Sequence, residues 1–322
     1  MNFKNIFSAV FAVGFFCLNL IFNVGKVSAE EIEEAPPISY TAPIALYWLS
    51  ESGTPEAEAY INKIANGVDS AEYEKVFDLD DLTNVNASFA EIRYTASNEY
   101  AKRNGYKNVI DLGCGVSPHS VWTSRNKINY VGVDLPAVVN AATQYSKLFL
   151  NEDEQKFVSY KVADVTDTKA MLNTAKNLEG KVCIIQEGLA MYLSRSQQKD
   201  LLYNVRKILQ EHGGVYITVD YNVKDLFTDI GKSLYNNKKA EELYTRSAGI
   251  YEEKGEADFE QTLFAKQKDA IDFIENQGLH VEIVPLLPKN FNLNVYSFLN
   301  KKQSKNLKSL TEKKYLWVMT VK

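Results

Sequence analysis

From Lys107 onward, short runs of β-branched and other apolar residues alternate with longer stretches whose apolar positions recur at helical spacing. Apolar runs bounded by polar segments read as buried strands, and the stretches between them are long enough to cross over a sheet as helices. This pattern predicts strands over Asn108–Leu112, Asn129–Val133, Phe157–Val162, Val182–Gln186 and Val215–Asp220. Two later runs, Leu279–Leu287 and Tyr315–Val321, complete seven. The fold class is therefore α/β, with a doubly wound, seven-stranded, mostly parallel sheet. Ahead of it, within residues 44–106, Pro55–Ala65 and Ser88–Asn104 read as helices packed over the front of the sheet. Between the fifth and sixth strands, Asn222–Gly278 is an insertion dominated by helix formers and Tyr, expected above the carboxyl ends of the strands as a helical lid or acceptor pocket.

The N-terminus follows a different pattern. Lys4 precedes an uncharged run from Ile6 to Val24, and Val27-Ser28-Ala29 follows Lys26 just before an acidic stretch. A basic start, an apolar middle and a small-x-small end make a secretory signal peptide, so residues 1–29 read as an export leader. The run is also long enough to stay uncleaved as a membrane anchor, the one membrane contact expected, and the protein stays cytoplasmic only if the segment is unused. Residues 30–43, with Glu30, Glu31, Glu33, Glu34, Pro36, Pro37 and Pro43, read as a polar linker. The folded domain is then 44–322, carrying the insertion at 222–278.

Composition narrows the class of function. In 322 residues, 45% hydrophobic content supplies a large core and excludes a disordered chain or a disulfide miniprotein. Lys and Arg total 36 against 41 Asp and Glu, and the lysines are interleaved with acids, as at Lys238, Lys239, Glu241 and Glu242. A nucleic-acid partner is therefore not expected. Three Cys and three His, without ligand spacing, exclude a zinc site and a disulfide framework. No metal is expected, and the sequence carries no sign of oligomeric state.

Chemistry concentrates where the strands end. Val109-Ile110-Asp111-Leu112-Gly113-Cys114-Gly115 is a buried strand running into a glycine turn, and such a turn lets a ligand approach the backbone. Pro118 stands where the third glycine of G-x-G-x-x-G would be, which favours a ligand without phosphates on the helix that follows. Asp134 ends the next strand, where a carboxylate can accept two ribose hydroxyls. Asp164 with Val165 ends the third strand, and Glu187-Gly188 follows the fourth. Each acid also has a plainer use, as a helix cap or a helix-terminal charge.

These residues resemble the class I S-adenosylmethionine-dependent methyltransferases, and more narrowly the leucine carboxyl methyltransferase family. The narrower likeness rests on Arg93-Tyr94-Thr95, on Asp111-Leu112-Gly113-Cys114-Gly115, and on Glu187-Gly188-Leu189-Ala190-Met191-Tyr192-Leu193, similar to E-G-x-x-x-Y-L. The resemblance implies a Rossmann-like sheet and S-adenosyl-L-methionine as cofactor. Arg93 would pair with the carboxylate of its methionine part, and Asp111, Gly113 and Gly115 would hold the same end. Asp134 with Leu135 would bind the ribose, and Asp164 with Val165 would bracket the adenine. Glu187, near the amino group or the transferred methyl, and Tyr192, shaping the acceptor mouth, are the candidate catalytic residues.

The implied reaction is O-methylation of a small molecule or peptide, at a carboxylate. A carboxylate is ionised at neutral pH and needs no base, and in-line alignment alone can contribute about 7 to 11 kcal/mol. A hydroxyl acceptor would need a base, for which Glu187, His119 and Asp220 are the candidates. Two other readings stand beside this one. An exported, non-catalytic ligand-binding protein on the same fold would suit the leader; an NAD-dependent oxidoreductase is disfavoured by Pro118.

Overall fold

The computed structural model describes residues 41–64 and 80–322. The leader assigned to residues 1–29, and linker residues 30–40, lie outside the described residues. Among the described residues, no helix is long and apolar enough to cross a membrane.

Helices α1 (Ala42–Glu51), α2 (Pro55–Ile64) and α3 (Asp80–Arg103) precede the sheet. There follow β1 (Asn108–Leu112), α4 (His119–Arg125), β2 (Asn129–Asp134), α5 (Pro136–Phe149), the short α6 (Glu152–Gln155) and β3 (Val158–Val162). The chain continues through α7 (Thr168–Ala175), β4 (Val182–Gln186), α8 (Arg195–His212) and β5 (Gly214–Thr218). Next come α9 (Val223–Leu234), α10 (Asn237–Gly255), α11 (Phe259–Thr262) and α12 (Gln267–Glu275), and the sheet is completed by β6 (Leu279–Pro285), α13 (Lys301–Thr311) and β7 (Lys314–Val321).

The strand order is β3-β2-β1-β4-β5-β7-β6. Neighbours from β3 to β5 are parallel, and β7 runs antiparallel to both β5 and β6. The direction of winding reverses between β1 and β4, and ligands in open α/β sheets bind outside the carboxyl ends at such a reversal.

β1 and β4 are buried along their whole length, which is why their apolar residues stand side by side, as Val109-Ile110 and Val182–Ile185, and do not alternate. Alternation still sorts their side chains. Val109, Cys183 and Ile185 face a core shared with α3, α9 and α13, whereas Ile110, Leu112, Val182 and Ile184 face one shared with α7, α8 and α12. Each fully buried side chain of this size contributes about 1.5 to 3 kcal/mol. Local signals set several helix ends. Ser194 and Gln197 form a capping box at the start of α8, Gly213 at φ 68° ends it, and Pro136 opens α5.

Strand ends shift by one or two residues from the sequence expectation, and three differences are larger. α1 takes in Ala42 and Pro43, the last two residues of the expected linker, and was not foreseen as a helix. α3 begins at Asp80 instead of Ser88, because its asparagines, poor helix formers in isolation, find tertiary partners: Asn84 Nδ2 donates to Tyr235 Oη at 3.0 Å, and Asn86 Oδ1 accepts from Ser247 Oγ at 2.8 Å. The insertion is split. α9, α10 and α11 contribute side chains to the cavity described below, whereas α12 places Ala270 and Ile274 in the core on the opposite face of the sheet, as an ordinary crossover helix.

Candidate active site

β1 leads into the turn on which the site is built. Gly113 and Gly115 have φ of 65° and 53°, and a Cβ at either would lie 3.1 Å from Leu189 Cδ2 or Ala42 Cβ respectively. Both the conformation and the space therefore require glycine. The Gly113 and Cys114 N–H groups donate to Val133 O at 2.9 and 3.2 Å, tying the turn to β2.

Asp134 ends β2 beside this turn. Its Oδ2 accepts from the Gly115 N–H at 2.8 Å and its Oδ1 from the Leu135 N–H at 2.7 Å. Burial pushes the carboxyl up to about 6, and those two backbone bonds moderate the rise. Each oxygen keeps a lone pair for a second donor. Strand alternation puts Asp111 on the face of Val109, where it is 2% exposed and accepts from Tyr130 Oη at 2.7 Å. Burial raises its carboxyl to about 6 as well, against the lowering effect of His119 and the Tyr130 bond.

Arg93 lies midway along α3 and is 8% exposed. Its guanidinium carbon stands 4.2 Å above the Phe89 ring, its Nε is buried without a hydrogen-bond partner, and no carboxylate among the described residues comes within 4 Å. Glu187 feels its charge from beyond ion-pair distance, so the guanidinium is left to meet an anion brought by a ligand.

Glu187, just after β4, is held from α3 and α4. Ser97 Oγ donates to Glu187 Oε1 at 2.6 Å, and His119 Nε2 faces the same oxygen at 3.3 Å, off the hydrogen-bonding line. The other ring nitrogen of His119, Nδ1, meets Asn98 Oδ1 at 2.9 Å. Burial alone would raise the Glu187 carboxyl, but His119, Arg93 and Ser97 together hold it below its usual range. Burial likewise opposes charge on His119, and Glu187 with Asp111 outweighs it, so the imidazole is raised.

Asp220 was a candidate base, and the structure gives it another role. Its Oδ1 accepts from the Gly188 N–H at 2.8 Å, and its Oδ2 accepts from the N–H groups of Leu189 and Ala190 at 2.8 and 3.0 Å and from Gln186 Nε2 at 3.0 Å. Fully saturated, it anchors the Glu187–Ala190 loop; an acid ending a strand opposite a glycine-bearing loop was the sequence signal for it. Ser97, by contrast, was legible one helical turn beyond Arg93 on the same face of α3.

Arg93, Asp111, Gly113, Gly115, Asp134, Leu135, Asp164, Val165, Glu187 and Tyr192 all line one cavity of about 320 Å³ over the β1/β4 reversal. Asp164 is exposed at its mouth, where its Oδ1 accepts from the N–H and Oγ of Thr166 at 2.8 and 2.7 Å. The Tyr192 ring meets that of Phe259 edge-on at 5.7 Å, so the insertion closes over it. Among the described residues, no cluster of His, Cys, Asp and Glu is arranged to hold a metal ion.

No family model matches this sequence, and no curated protein matches it. Among solved structures it is similar to the methyltransferase domain of bacterial CtHen1, at 14% identity over 72% of this chain and 100% of that one, with a TM-score of 0.44. It is also similar to magnesium protoporphyrin IX methyltransferase (ChlM) from Synechocystis PCC 6803 with bound S-adenosylhomocysteine, at 10% identity over 87% and 99% of the two chains, TM-score 0.44. A third is a TehB-like S-adenosylmethionine-dependent methyltransferase from Corynebacterium glutamicum, at 16% identity over 70% and 88%, TM-score 0.39.

Proposed function

We propose that the chain is an S-adenosylmethionine-dependent O-methyltransferase acting on a carboxylate. The observation that carries this reading is the buried, unpaired guanidinium of Arg93 on the same cavity as Asp134, across the topological reversal of the sheet. These groups fit an amino-acid nucleoside. Arg93 would take its carboxylate, Asp134 the ribose hydroxyls through its spare lone pairs, Asp164 and Val165 the base, and Glu187 the ammonium. A dinucleotide fits less well, since Pro118 stands where the third glycine of G-x-G-x-x-G would let the helix pack closely behind a pyrophosphate.

When bound, S-adenosylmethionine supplies a methyl group already activated by a sulfonium. The chain's own residues then have to align the acceptor and exclude water. The three candidate bases are engaged elsewhere: Asp220 is buried and accepts four bonds, Glu187 is held by Ser97 and His119, and His119 is 1% exposed. Burial also raises the Tyr192 and Tyr244 hydroxyls, the latter to about 12. An acceptor ionised beforehand suits such a site, which supports a carboxylate over a hydroxyl.

Calorimetric titration of the purified protein with S-adenosylhomocysteine and with NAD tests the cofactor, with saturable binding expected for the first alone. Label transfer from methyl-tritiated S-adenosylmethionine to a carboxylate panel tests turnover. Binding without any transfer would favour the exported, non-catalytic reading instead.

A further inference from the structure

The cavity has an aromatic wall that starts at Phe89, beneath Arg93. Phe89, Phe227 and Tyr244 meet edge to face, with ring centroids 5.3 and 5.9 Å apart, and Ala248 and Leu263 continue the surface. Ser247 and Asn86 interrupt this wall and are bonded to each other, and the Tyr244 hydroxyl is its remaining polar group. Ser247 Oγ donates to Asn86 Oδ1 at 2.8 Å, and Asn86 Nδ2 donates to Leu82 O at 2.9 Å. Among the described residues, Arg93 is the one Lys or Arg on the cavity.

We infer that the methyl acceptor is a monocarboxylic acid with an uncharged apolar body, such as a medium-chain fatty acid, and not a peptide tail. This deepens the methyltransferase reading and rests on it. A peptide would carry several amide N–H and C=O groups out of water onto a wall with too few polar groups to pair them all. The reacting carboxylate meets the positive sulfonium, whereas a second one would find no cation, since Arg93 is taken by the cofactor's own carboxylate. An alkyl chain or ring loses nothing there and gains contact with three aromatic side chains. In the transfer, one carboxylate oxygen bonds to the methyl carbon as the carbon–sulfur bond breaks. The electron pair stays on sulfur, and no proton or redox partner enters.

Decanoate, decanedioate, decanol and glycyl-glycyl-leucine, each titrated calorimetrically with and without S-adenosylhomocysteine, test this. Saturable decanoate binding is expected, about tenfold or more tighter than that of the dicarboxylate or the tripeptide. Ala248→Asp should weaken decanoate by about tenfold and leave S-adenosylhomocysteine affinity unchanged, a split that a folding defect would not produce. Leu263→Asn serves the same purpose should the first variant fail to fold. Equal or tighter binding of the tripeptide or the dicarboxylate, faster methylation of decanol than of decanoate, or no saturable decanoate binding under either condition overturns the inference. Decanoate binding without S-adenosylhomocysteine binding leaves the apolar compartment standing and removes the methyltransferase reading alone.

Discussion

Arg93 separates a binding residue from a structural one. Arg93 makes no ion pair within 4 Å among the described residues, so Arg93→Met should leave the thermal midpoint little changed while abolishing S-adenosylhomocysteine binding. A falling midpoint with retained affinity would make Arg93 a packing residue. Asp134→Ala should weaken the same ligand by roughly 10- to 100-fold, the loss expected for charge-assisted bonds worth about 1.5 to 3 kcal/mol. At Asp111 the expected readout is pH. Its carboxyl is raised to about 6 in the folded protein, above about 3.9 in an unfolded chain. Between these values the folded state binds more protons, so this group makes stability fall as pH rises from about 4 to 6, by on the order of 3 kcal/mol. Denaturant melts of Asp111→Asn across that window should show a flatter profile than the parent. Glu187, held low, has the opposite sign, and its stabilisation is lost as pH falls through its folded value. His119, held high, stabilises at low pH and loses that stabilisation as pH rises through its own.

At the scale of elements, the loop after β4 depends on one carboxylate. Asp220→Asn replaces an acceptor of four bonds by an amide whose N–H₂ would face donors. Stability should fall by about 3 kcal/mol or more, as for other broken buried charge networks, and affinity for the adenosyl ligand should fall with it because Glu187 loses its position. Urea melts and calorimetry on the same sample check both. A second stitch holds the insertion to this loop: Arg195 donates to Thr262 O and Leu263 O, each at 2.7 Å, while Gln198 Nε2 bonds Ala190 O, Leu193 O and Thr262 O. The E-G-x-x-x-Y-L likeness marked the loop in the sequence. Apart from Gln198, its backbone partners Asp220 and Thr262 came from residues tens of positions away, which no local pattern records.

For the whole molecule, a ligand that bridges α3, four strand ends and the insertion should stabilise them together. S-adenosylhomocysteine at a hundredfold excess over its dissociation constant is expected to add about 2.7 kcal/mol, read as a concentration-dependent rise in the thermal midpoint. The central strands were legible because burial on both faces concentrates apolar residues in them, and β1 and β4 match their expected spans residue for residue. α1 and the first turns of α3 were not legible, since their polar and small residues become helical through partners elsewhere in the chain.

By itself the sequence determined the strands, the glycine turn and the acids that end each strand, because apolar spacing and the demand for positive φ are local. Tertiary structure decided which of those acids face a ligand and which hold a loop. Asp134 and Asp220 both follow strands, yet one keeps lone pairs toward a cavity and the other is saturated by four donors. That difference is set by neighbours brought from other elements, and it is a matter of desolvation and hydrogen-bond supply at each carboxylate.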